Sequence, residues 1–129
     1  MHDVPRGFTK AEQKAKGLLN NSKKIKNLIN TATKKAVSSK QKLQSVWNDL
    51  QTLFRLLNAW RTGEYSVIPW KSILYIATAL LYLVNPLDVI PDFIPFTGLV
   101  DDVSIITFVV NAIKTDLDKF LEWETQHKE

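Results

Sequence analysis

One stretch constrains this chain more than any other: Asn85 to Asp102, NPLDVIPDFIPFTGLVDD, which holds three of the five prolines, four aspartates and a glycine. Proline fixes its own φ and pushes the preceding residue out of the helical region. So dense a set of breakers cannot continue a helix, and the stretch is expected to form a specific, rigid loop. It divides two uncharged segments, Ser72 to Val84 (SILYIATALLYLV) and Val103 to Ile113. Both read as helices. Asn85, Pro86 and Asp88 fit the N-cap, first and third positions of a helical turn inside the loop, and Thr97-Gly98 starts the last helix.

Upstream, Thr9 with Glu12 forms a T-x-x-E capping box that marks a helix start. From there a seam alternates steps of four and three: Ala11, Ala15, Leu18, Ser22, Ile25, Ile29, Ala32, Ala36, Ser39, Leu43, Val46, Leu50, Leu53, Leu57 and Trp60. That is the repeat of a coiled-coil stripe. Lys10 to Arg61 is expected to be one helix of about 75 Å at 1.5 Å per residue, or two with a kink or break near Ser38. Before Ser39 the seam is mostly alanine and serine, and is expected to bury too little to hold without a membrane, a partner helix or a second copy. After it, the leucines, with Phe54 and Leu56 widening the face, are expected to dock on the core.

Thr62-Gly63 reads as a C-cap, Glu64 to Pro69 as a short connection, and Trp70 or Lys71 as the start of the next helix. Beyond Ile113 the last helix turns amphipathic through Leu117, Phe120, Leu121 and Trp123. The expected fold is all-α, a long amphipathic N-terminal helix on a hairpin of two apolar helices joined by the proline-aspartate loop. Residues 1–62 form the lysine-rich part and residues 63–129 the hairpin domain.

Charge is divided unevenly. From Met1 to Ser45 the sum is +9, and from Asn85 to the end it is −6, within a net charge of +4. Lysines 14, 16, 23, 24, 26, 34 and 35 surround the first half of the seam. A solvated helix face is the plain reading. An anionic membrane surface is the leading functional one, because lysines near such lipids contribute about 1 kcal/mol each. Nucleic acid is less favoured, since arginine and aromatic residues are scarce there. With no cysteine, disulfides, thiolate zinc and thiol nucleophiles are excluded, and His2 and His127 stand at the ends, where catalytic or metal roles are rare. The N-terminus shows no secretory signal, so a cytoplasmic protein, peripheral or re-entrant at the inner membrane, is expected.

A spanning helix needs about 20 apolar residues. Ser72 to Val84 supplies thirteen, bounded by Lys71 and Pro86. Trp60, Tyr65 and Trp70 crowd its start, as an interfacial aromatic belt would. Three readings stay open: a buried core helix, a re-entrant hairpin, or a span with local thinning of the bilayer.

The run Asp88, Ile90, Pro91, Asp92, Phe93, Ile94, Pro95, Gly98, Asp101 and Asp102, flanked by apolar helices, resembles the YkvA-like family of small bacterial proteins, a domain of unknown function. The resemblance covers roughly Pro69 to Ile113 and leaves the lysine-rich part outside. Members often carry serine at the place of Asn85, which keeps the cap. It implies membrane association and no established activity. Asp88, Asp92, Asp101 and Asp102 are the candidate metal ligands, for magnesium or calcium. Helix capping is the simpler reading of the same four. The expected function is a non-enzymatic, membrane-associated adaptor or assembly module without a cofactor, self-associating or holding a partner helix through the seam. The alternatives are a divalent-metal-dependent enzyme using the aspartates and a nucleic-acid-binding helical protein. Trp60 and Trp70 join the lysines as candidate membrane contacts.

Overall fold

A computed structural model describes residues 8–84 and 102–127. The proline-rich stretch therefore lies outside the described residues apart from Asp102. The regular elements of the described part are all helices: α1 (Phe8–Leu18), α2 (Ser22–Ser38), a 3-10 turn (Gln44–Val46), α3 (Trp47–Thr62), α4 (Trp70–Val84), α5 (Asp102–Ala112) and α6 (Lys114–Gln126).

The seam is spread over three helices. The break expected near Ser38 is present, and a second lies at Asn21. There the backbone is extended (φ −132°, ψ 111°) and the side-chain Oδ1 accepts from the Lys24 N–H at 3.1 Å. This is an ordinary asparagine N-cap, which satisfies an amide that the start of α2 would otherwise leave open. At the other end, the Ser39 N–H bonds back to the Lys35 and Ala36 carbonyls, and the Leu43 N–H to the Ser39 carbonyl. The chain thus reverses through Ser39 to Leu43. Arg61 Nη1 donates to Ser22 Oγ at 3.4 Å, so the start of α2 meets the end of α3 and the two run antiparallel.

The centre of the fold is α4, which packs against α1, α2, α3 and α5. Ten of its fifteen residues are buried, with Ile73, Ile76, Ala77, Thr78 and Leu80 fully so. Thr78 Oγ1 donates to the Leu74 carbonyl at 2.7 Å, which satisfies its hydroxyl within the helix. Among the open readings of this segment, the core helix is the one the packing matches. Among the described residues no helix is long and apolar enough to cross a membrane.

The N-terminal half buries more than its alanines suggested. Ala15, Ala32 and Ala36 are fully buried, with Ile25 nearly so, and Leu19 and Leu28, which lie off the seam, are buried beside them. Small residues let α1 and α2 approach α4 closely, and the two extra leucines fill the remaining space. The seam's apolar side is thus taken up within the chain, and one continuous core joins residues on both sides of the 62/63 boundary.

Gly63 closes α3 in the left-handed region (φ 86°), with its N–H on the Trp60 carbonyl at 3.2 Å. Glycine adopts that conformation without the Cβ penalty, as the Thr62-Gly63 pair predicted. Helix α4 opens at Trp70, also as predicted. The C-terminal segment differs from the single helix expected: Ile113 (φ −115°, ψ 24°) separates α5 from α6. The bend falls where the pattern changes from apolar all round to amphipathic. It lets Leu117 and Phe120 enter the core while Ser72 Oγ donates to Asp116 Oδ2.

Candidate anionic-surface interface

On α2, residues two apart differ by about 200° around the axis. Ile25 and Ala32 point into the core, so Lys23 and Lys34, each two positions away, point out. Lys24, Lys26 and Lys35 flank that outward line, and all five are exposed. Lys14 and Lys16 of α1 are exposed as well. The helix is about 25 Å long for its seventeen residues, so its lysines form a strip. The fold therefore turns the seven candidate lysines outward while it buries Ala15, Ile25, Ala32 and Ala36 of the seam between them.

Trp60 and Trp70 come together at one end of the molecule, with ring centroids 6.0 Å apart and planes tilted by 54°. Trp60 is half-buried, whereas Trp70 is 46% exposed. Because Arg61 reaches Ser22, the same end carries the first turn of α2 with Lys23 and Lys24. Lys71 adds a further cation there, its Nζ 5.7 Å from the Tyr75 ring centroid. Tyr65, the third aromatic of the expected belt, is different. It is buried, with its ring 5.1 Å from Phe120 and 5.0 Å from Trp123, and burial, with a smaller effect of the Asp116 charge, pushes its phenol above the ordinary value. It anchors α6 rather than facing outward.

The acidic C-terminal helix is held by Arg55, whose Nε and Nη2 donate to Glu124 Oε2 and Oε1 at 2.8 and 3.1 Å. This forked bond is the main reason the guanidinium is held above its ordinary range, and burial opposes it. Its geometry is bidentate, which fixes orientation as well as charge.

Of the aspartates proposed as metal ligands, Asp88, Asp92 and Asp101 lie outside the described residues. Asp102 stands in the first turn of α5, where a negative charge complements the helix dipole. Among the described residues, no group of three or more acidic or histidine side chains is placed to hold a metal. Sequence reading missed Val67, 76% exposed in the connection before α4. A lone valine in VIPW has no periodicity to place it. Its exposure follows from Tyr65 and Ile68 being buried on either side.

Comparison with known proteins agrees with the motif. The family model described as "Protein of unknown function (DUF1232)" matches residues 72–108. The "Uncharacterized membrane protein YkvA" of Bacillus subtilis (strain 168) is 32% identical over 104 residues, which is 81% of this chain and 98% of that protein. A match of that extent includes much of the lysine-rich part, so the likeness is wider than the region from Pro69 to Ile113. No solved structure matches. From the Pro/Asp motif to the length of that match, this chain belongs to the YkvA-like family of proteins of unknown function.

Proposed function

We propose that this protein is a non-enzymatic, peripheral membrane-associated helical module, held at an anionic lipid surface by the lysines of α1 and α2 and serving there as an adaptor or assembly platform. The observation that carries this reading is the outward strip of lysines over a seam that is already filled by the chain itself. A strip whose apolar side is satisfied has no internal use for its charge. Lysines near anionic lipid contribute about 1 kcal/mol each, and that attraction falls off within a Debye length of about 8 Å at physiological salt. The name of the Bacillus relative supports a membrane location, and the burial of α4 on most sides favours attachment at the surface over insertion of that helix. A leaflet rich in anionic lipid is the surface this charge would meet.

Fractionation of cells producing the protein tests the mode of attachment. Sedimentation with membranes and release by concentrated salt is the expected result. Resistance to both salt and alkaline carbonate would overturn the peripheral reading, and recovery in the soluble fraction at low salt would overturn membrane association.

A further inference from the structure

The connection between α3 and α4 is pinned from both sides. Gly63 fixes its entry, the Tyr65 N–H bonds to the Ala59 carbonyl at 3.2 Å, and the Pro69 carbonyl accepts from the Ser72 N–H at 3.0 Å and the Ile73 N–H at 3.3 Å. Tyr65 and Ile68 are buried, at 5% and 8% exposure. Between these two anchors Val67 is held out in solvent, and Trp70, three positions on and packed at a tilt against Trp60, lies near it in sequence at the same end of the bundle. Two of the four large apolar side chains that are exposed among the described residues thus sit on one fixed turn. An apolar group that the fold holds out of its own core marks a contact surface when it is contiguous with others and ringed by charge.

The ring here is cationic. Helices α2 and α4 both begin at this end, and neither has an acid in its first turn. Each places lysine there instead: Lys23 and Lys24 on α2, Lys71 on α4. Cations at helix N-termini oppose the helix dipole, so the arrangement is unfavourable for the isolated chain and is relieved by an external anion. Arg61 closes the ring from α3. Among the described carboxylates near these elements, Asp116 is already bonded to Ser72 and Asp118 is paired with Lys114, while Glu64 stands in the connection itself.

We infer that Val67 and Trp70 form an insertion tip that enters the interfacial layer of an anionic bilayer while Lys23, Lys24, Arg61 and Lys71 engage the lipid headgroups around it. This rests on the membrane-surface reading and narrows it: α2, α3 and α4 meet the membrane end-on, so the lysines at the start of α2 touch the headgroups while Lys34 and Lys35, about 15 Å farther along the helix, stand back from them. Tryptophan is favoured at the boundary between headgroups and hydrocarbon because its ring is apolar and its N–H is a donor. A lipid interface fits the two halves of the patch better than a protein groove, because fluid headgroups accommodate a cationic ring of irregular outline.

The chain has no cysteine, so a single engineered one labels uniquely. Val67→Cys and Val37→Cys, each carrying an environment-sensitive fluorophore, sample exposed valines at opposite ends, since Val37 lies about 22 Å along α2 from Ser22. With vesicles of phosphatidylcholine and phosphatidylglycerol, the probe at position 67 is expected to shift to the blue and be quenched by spin-labelled lipid, and the probe at position 37 is not. Equal quenching at both positions, or quenching at 37 alone, overturns the tip. Flotation of the labelled protein with vesicles without any change at 67 also overturns it, and leaves the membrane-surface reading standing. Failure of the unmodified protein to float with these vesicles overturns both. Val67→Ser with Trp70→Ser, at positions that contribute little to the core, is expected to weaken partitioning about tenfold with the salt dependence retained. Unchanged partitioning of that variant contradicts the inference.

Discussion

Ser72 and Asp116 form a polar contact that fixes how α6 begins. Ser72 is 6% exposed on α4 and its hydroxyl donates to the half-buried Asp116 carboxylate. Ser72→Ala removes the donor from a charged acceptor, and a loss of about 1–2 kcal/mol by denaturant titration is expected. Two glycines predict opposite signs. Gly63→Ala forces a Cβ into φ 86° and is expected to cost about 1 kcal/mol. Gly17 sits in α1 with negative φ and no neighbour within 4 Å of an added Cβ, so Gly17→Ala is expected to add about 0.5–1 kcal/mol. Thermal melts of the pair check both. The Tyr65 phenol, raised in the folded protein by burial, is neutral and stabilising below its unfolded value near 10.0. That contribution is lost as pH rises through the folded value, so Tyr65→Phe is expected to make the alkaline fall in stability shallower.

At the scale of elements, much of the plan could be read from sequence and one part could not. Thr62-Gly63 and the start at Trp70 were legible because a C-cap glycine and an uncharged apolar run each have a single local meaning. The break at Asn21 was hidden because a four-three stripe survives folding back: each of α1, α2 and α3 needs its own apolar face, and the three faces stay in phase along the chain. Leu19 and Leu28 lie off that phase, and they join Ala15, Ile25, Ala32 and Ala36 in binding the shorter helices to the core. The lysine strip was legible as charge, whereas its pole with Val67 depended on which neighbours of that residue became buried, which is set by tertiary packing alone. Leu80, fully buried in α4, the helix that packs against four others, gives the clearest test of the core assignment. Leu80→Ala is expected to cost about 2–5 kcal/mol. A change under 1 kcal/mol by the same titration would mean that α4 faces lipid or solvent instead.

For the whole molecule, the consequence is a division of labour between a filled interior and a charged exterior. The apolar helix that hydropathy suggests for a membrane is the protein's own core, and α1 and α2 cover it while turning their lysines outward. Removing residues 1–38 would uncover α4, so that truncated chain is expected to aggregate or melt at lower temperature than the full chain. Membership in a family with a relative called a membrane protein is then compatible with a molecule that meets the bilayer through charge and a small apolar tip. Flotation of the full chain with vesicles of pure phosphatidylcholine and with vesicles containing phosphatidylglycerol, over a series of salt concentrations, tests this most directly. The account predicts binding to the anionic vesicles alone, weakening steadily as salt rises and reduced further by Lys23→Gln, Lys24→Gln and Lys26→Gln together. Equal binding to both kinds of vesicle, independent of salt and of those lysines, would contradict it.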